Sequence, residues 1–307
     1  MDMKTSFNKT DEWMKRNARP LEAARWEYHF QEGEKDRVLD ILAAFQNEDG
    51  GFGHGIEPDF WLPASSPMAT WAAGQVLNEI GADSQEKIVQ SMNEYLLETY
   101  EPESGMWPSV LPETNHYPHA PWWHWKEGVQ DNWMFNPGAE LAGYLIKWSI
   151  EGGEAEKTGW SSVGKAAARL METETMDSHE ICNYQQLLKL LKPEAFTQYT
   201  SYSYSELQDK INELAENCME KDTAKWGSGY QTLPLDIIDH PGHPLAGKYK
   251  HLIEQNLNYY EDQLNADGIW EISWNWGDAS DAFMVSQQYW KGVLAVNRYQ
   301  LFQAFGY

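Results

Sequence analysis

Six carboxylates fall in pairs along this chain: Glu57 with Asp59, Asp236 with Asp239, and Asp278 with Asp281. Two neighbouring carboxyls divide naturally into a protonated acid and an ionised partner, a division that serves alkene protonation and glycoside hydrolysis alike. The pairs lie in the stretches HGIEPDFWLPASSP (54–67), QTLPLDIIDHPGHP (231–244) and EISWNWGDASD (271–281), and PSVLPETNHYPHAPWWHW (108–125) has the same texture. His54, His116, His119, His124, His240 and His243 share these stretches, and an imidazole beside a carboxylate either ligates a metal or moves protons. No compact ligand spacing of the HExxH kind is present, so neither a metal nor a cofactor is expected. Trp122, Trp123, Trp274 and Trp276 complete the set, offering faces that stack on sugars or stabilise cations by about 0.5–2 kcal/mol each. The expected catalytic candidates are therefore Asp239, Asp281, Glu57, Asp59, Asp236 and Asp278. The expected ligand contacts are His119, His124, Trp122, Trp123, Trp274, Trp276, His240 and His243. A structural alternative stands beside each acid: Asp278 or Ser280 caps a following helix, and Asp236 stabilises a turn before Pro241.

The segments between these loops read as helices. Leu207, Ile211, Leu214 and Cys218 step by four, three and four, as do Ile253, Leu257, Tyr260 and Leu264. Val38, Ile41 and Phe45, and then Val89, Met92 and Leu96, make similar stripes, so each segment has one apolar and one wet face. Three others, 67–81, 136–148 and 281–302, are small or apolar around most of the circumference, the pattern of a buried helix. Ser66-Pro67 and Asn136-Pro137 supply N-terminal signals for two of them. Alternation of half-wet and buried helices implies an all-α chain of two layers.

The joints repeat. QNEDGGF (46–52), EPESGMW (101–107) and QLNADGIW (263–270) each close a helix with polar residues and then place an aromatic two positions after a glycine. TGW (158–160) and KWGSGY (225–230) lie near where further copies fall on a period of roughly 54 residues, enough for two helices and two loops. These joints resemble the QW motif of the squalene cyclase family: Gln46 with Gly50 and Phe52, and Gln263 with Gly268 and Trp270, match it, while Glu101 replaces Gln in the middle copy. The resemblance implies an α/α toroid of about five to six antiparallel helix pairs, as in terpenoid cyclases and protein prenyltransferase β subunits. It places the toroid at 36–307, with 1–35 as a helical segment packed on it. In that family the Gln caps backbone groups beneath the aromatic ring. The DxDD acid motif of the cyclases and the zinc-ligand set of the prenyltransferases are both absent, so neither chemistry carries over.

Charge narrows the ligand. Lys and Arg number 23 against 47 Asp and Glu, a net charge of −24 that repels nucleic acid and anionic lipid. No apolar run has the length of a membrane span, and the first residues lack the apolar core of a secretion signal, which makes the cytoplasm the expected location. Cys182 and Cys218 form no motif and are expected to be reduced thiols. Two enzymatic expectations result: a cyclase-like enzyme that protonates an apolar, isoprenoid-like substrate in a central cavity, or a glycan-processing hydrolase or lyase. A non-catalytic binding scaffold is the third.

Overall fold

The structure, a computed structural model, describes residues 3–277 and 280–307. Among them are fourteen α-helices, short 3-10 turns and isolated bridges, with no strand, so the chain is all-α. No helix is long and apolar enough to cross a membrane. Packing divides the chain into two compact units, Met1–Leu42 with Met219–Tyr307, and Ala43–Cys218.

The first unit opens with α1 (Met3–Asn17), α2 (Pro20–Phe30) and α3 (Lys35–Leu42). Phe7 stacks on Trp26 at 5.2 Å, and Trp26 meets Tyr299 edge-on at the same distance, so residues near both ends of the chain share one aromatic core. In the same unit, Arg19 Nη2 and Glu22 Oε1 pair at 2.7 Å, almost out of contact with water.

The second unit holds α4 (Pro67–Glu79), α5 (Lys87–Glu98), α6 (Gln130–Trp133), α7 (Gly138–Lys147), α8 (Glu154–Glu172), α9 (Ser178–Leu190), α10 (Pro193–Tyr199) and α11 (Tyr204–Cys218). Helix α4 begins as its sequence dictates: the Ser66 hydroxyl accepts from the Ala69 N–H, and Pro67 takes the first turn. Every residue of α7 from Gly138 to Leu145 is buried, as an all-round apolar helix requires. It packs against α4, α8 and α9. Gly159 lets α8 approach closely, since a Cβ there would lie 2.5 Å from Ile146 Cγ1. That finding corrects the reading of TGW (158–160) as a joint: it lies within α8, near its N-terminal end, where the glycine serves helix crossing.

The chain then returns to the first unit with α12 (Pro234–Ile237), α13 (Lys250–Asp262) and α14 (Asp281–Phe305). Ser280 caps α14 by accepting from Phe283 N–H. Only one stripe of α14 is buried, from Phe283 through Gly292 and Ala295 to Tyr299 and Phe302, while Met284 and Val285 remain 53% and 38% exposed. This helix packs on α1 and α2 along that stripe, so it is less enclosed than its composition suggests.

The three joints share one construction. Phe52, Trp107 and Trp270 are completely buried. The Trp107 indole donates to the Leu96 carbonyl at 2.8 Å and that of Trp270 to the Tyr260 carbonyl at 2.7 Å, each tying the joint to the last turns of the helix before it. Asn47 and Asn265 make matching turns: each N–H donates to the carbonyl four residues on, and each carbonyl accepts from the glycine three residues on. The middle joint is one residue longer, with Gly105 N–H donating to Glu101 O. Gln46 Nε2 donates to the carbonyls of Gly50 and Ile88, both at 2.9 Å, so this Gln does satisfy backbone groups. Each glycine also docks on a helix. Gly50 lies against Ser91 of α5, the Gly105 carbonyl accepts from Ser162 of α8 at 2.7 Å, and the Gly268 carbonyl accepts from Thr10 of α1 at 2.6 Å. Gly50 has φ +87°, and a Cβ there would sit 2.1 Å from the Ser91 carbonyl oxygen, so conformation and space both demand glycine. The turn at 225–230 differs: Trp226 donates to Glu220 O, only six residues back.

Candidate functional site

Two of the loops singled out in the sequence meet in the second unit. Trp61 N–H donates to Pro118 O at 3.0 Å, Ala120 N–H donates to Asp59 O at 2.8 Å, and Phe60 bridges to His119. Beneath this seam Phe60 meets Trp123 edge-on at 5.9 Å, and Trp123 stacks on Trp133 at 4.5 Å. The aromatic ladder gives two otherwise irregular loops a floor, and Asn115 closes the 108–125 loop on itself by clasping the backbone of Trp125 at both its N–H and its carbonyl. His54 holds a left-handed backbone, φ +57°, and its Nε2 lies 2.9 Å from Asn47 Oδ1. A left-handed non-glycine residue is uncommon and marks a tightly determined loop.

The predicted residues separate into two levels here. Glu57, Asp59 and Trp123 are buried, at 7%, 2% and 7% exposure, whereas Trp122 and His124 are exposed and His119 is half-buried. His119 Nε2 lies 3.1 Å from His124 Nδ1, and His119 Nδ1 lies 2.6 Å from the Tyr117 carbonyl. Tyr117 and Trp122 are solvent-facing aromatics of the same short segment. Its surface therefore presents rings and hydrogen-bonding nitrogens together.

In the first unit the predicted residues do different work. Asp236 accepts from Leu233 N–H at 2.7 Å and from the Tyr260 hydroxyl at 3.1 Å, which closes the turn at α12 as the structural alternative anticipated. Burial, with Asp236 alongside, pushes the Tyr260 hydroxyl well above the usual phenol range. Asp239 lies 3.7 Å from His240 Nε2, both half-buried to exposed. His243 is buried, and its Nδ1 accepts from Leu245 N–H at 3.1 Å. Asp281 is exposed in the first turn of α14, where a carboxylate suits the helix dipole. Trp274 packs between Tyr230 and Trp290, and Trp276 is buried on Phe283. Asp278 lies outside the described residues.

Sequence reasoning missed Glu140. It sits on α7, 2% exposed, accepting from the Trp71 indole at 2.7 Å and from the Tyr144 hydroxyl. Burial raises its carboxyl to about 7, against the lowering effect of hydrogen bonds from Tyr144, Trp71 and Gln75 and of the Lys189 charge. Its signal was legible: a carboxylate on a helix otherwise apolar all round. Glu180 on α9 is raised in the same way, despite Arg169 at 3.5 Å.

Among the described residues no group of three or more His, Cys, Asp or Glu could hold a metal ion. Neither Cys182 nor Cys218 is in a disulfide, and both are half-buried. Two open hollows of about 270 and 300 Å³, lined chiefly by Trp226, Gln255, Asn258 and Tyr259 and by Glu94, Leu97, Glu98 and Glu154, involve none of the predicted residues. Comparisons with protein-family models, with curated proteins and with solved structures find no match for this chain.

Proposed function

We propose that this chain is a glycan-binding, and by extension glycan-processing, protein whose ligand lies on the loops 54–67 and 108–125. The supporting observation is the exposure of Tyr117, Trp122 and His124 within one short segment whose Trp123 is buried on Trp133. Sugars are bound by flat rings packed on their C–H faces and by polar groups reaching their hydroxyls, and both are at hand on this segment. The net charge of −24 disfavours a polyanionic glycan and favours a neutral one. In the catalytic form of this reading, Glu57 and Asp59 are the carboxyl pair beneath the seam.

The cyclase-like reading, with the α/α toroid that the joints resemble, keeps one observation in its favour. Met284 and Val285 are exposed on α14, the helix that also carries Trp290, whose ring meets Trp274. Exposed aliphatic side chains suit an isoprenoid better than a sugar.

Titration of tryptophan fluorescence with neutral oligosaccharides, and in parallel with isoprenoid alcohols, separates the two. The glycan reading expects saturable changes with at least one oligosaccharide. Saturation by an isoprenoid alone would transfer the assignment to the α14 surface.

A further inference from the structure

We propose that His124 is a general base whose Nε2 takes a proton from a hydroxyl, of a bound sugar or of a water beside it, and that His119 is its positioning residue. The proposal rests on the reading of these loops as a ligand site. Its starting point is the Tyr117 carbonyl, 2.6 Å from His119 Nδ1. A carbonyl only accepts, so Nδ1 of His119 carries the proton. In the neutral ring, Nε2 of His119 then has the lone pair. It lies 3.1 Å from His124 Nδ1, which must therefore be the donor. The proton of His124 is thus held on Nδ1, and the lone pair is left at Nε2 on an exposed ring.

Ring geometry agrees. The centroids are 5.3 Å apart and the planes differ by 19°. That separation is close to the largest that the 3.1 Å N···N distance allows, so the two nitrogens lie nearly on the line joining the ring centres and the rings meet edge to edge. The backbone fixes this alignment. Pro118 and Pro121 stiffen the segment, the Phe60–His119 bridge and the Ala120 to Asp59 hydrogen bond moor its first half, and Trp123 N–H donates to Ala120 O at 2.9 Å in the turn before His124. A base oriented by a second group, itself oriented by a third, is the general logic of an activated proton acceptor. In the step proposed, the hydroxyl proton moves to His124 Nε2. As the proton moves, that oxygen bonds to the anomeric carbon of a glycosidic linkage, the linkage breaks with its departing oxygen taking a proton from solvent, and the imidazolium keeps its Nδ1 proton hydrogen-bonded to His119.

Nitrogen-15 NMR of histidine-labelled protein, at about pH 8 where neutral rings are observed, reads the tautomers directly. Both His119 and His124 should show a protonated Nδ1 and an unprotonated Nε2. His119→Ala should shift His124 to the Nε2–H form, while His119→Gln, whose amide oxygen accepts in place of the ring nitrogen, should retain the Nδ1–H form. Diethyl pyrocarbonate, which acylates an available ring lone pair, should modify His124 before His119. An Nε2–H tautomer of His124 in the wild type, no shift in His119→Ala, or faster acylation of His119 would each overturn the proposal. All readings are made without ligand, so a failure to bind sugar counts against the glycan reading and leaves the tautomer result standing.

Discussion

At Glu140 the environment outweighs the side chain's own chemistry: a carboxyl that ordinarily ionises near 4.5 is raised to about 7 by burial. Its contribution to stability has a definite sign. Below about 4.5 the carboxyl is protonated in folded and unfolded chains alike, and no penalty arises. Between 4.5 and 7 the folded state keeps a proton that the unfolded state releases, so stability falls as pH rises, and above 7 the loss is complete. Glu140→Gln keeps an acceptor for the Trp71 indole and has no charge to bury. Urea unfolding at pH 5 and pH 8 should therefore show wild type losing stability relative to the variant by on the order of 3 kcal/mol; parallel pH profiles would contradict the buried acid. The residue scale is also where the sequence was hardest to read. Glu57 and Asp59 were legible as a pair but not as buried, since loop residues are normally exposed. The His119–His124 contact depends on a prolyl turn whose shape no spacing rule gives.

Among the elements, the joints were the most legible part, because glycine, aromatic and helix end recur in order along the chain. What the pattern hid was the docking partner: Gly268 rests on α1, at the far end of the sequence, with Thr10 Oγ1 donating to its carbonyl at 2.6 Å. Thr10→Val leaves that buried carbonyl without its donor and should cost about 1–3 kcal/mol. Trp270→Ala, which removes a fully buried ring, should cost about 3–5 kcal/mol. Gly50→Ala is expected to exceed Gly81→Ala. Both add a Cβ at positive φ, a strain of about 1–2 kcal/mol, but only Gly50 has a carbonyl oxygen in the way, whereas Gly81 faces open space. Thermal melts of the four variants check the order, and equal losses at Gly50 and Gly81 would show that the docking against Ser91 is immaterial. TGW, by contrast, does not mark a joint because a glycine–aromatic pair also suits a close helix crossing; the polar residues before it, from Glu154 to Lys157, are already the first turn of α8, so the same letters continue a helix.

For the molecule as a whole, periodicity alone identified an all-helical chain, since the apolar stripes and buried segments carry helical spacing throughout. The net charge of −24 is a second whole-chain property, and self-repulsion of that size is screened by salt. The melting temperature should rise by several degrees between about 10 mM and 0.5 M sodium chloride, where the Debye length shrinks from roughly 30 to a few Å; a fall would mean that attractive ion pairs dominate. Function was less legible than fold because aromatic residues, histidines and acids in loops fit a sugar site and an isoprenoid site equally well until exposure is known. On the proposed reading, the exposed ring segment binds the ligand while the helices and joints carry the fold. Calorimetric titration of wild type and Trp122→Ala with neutral oligosaccharides, alongside their melting curves, tests it most directly. Wild type should bind, Trp122→Ala should lose at least tenfold in affinity, equivalent to about 1.4 kcal/mol, and the two should melt at nearly the same temperature. Equal affinity in the two proteins, or a variant whose fold is damaged as badly as that of Trp270→Ala, would contradict it.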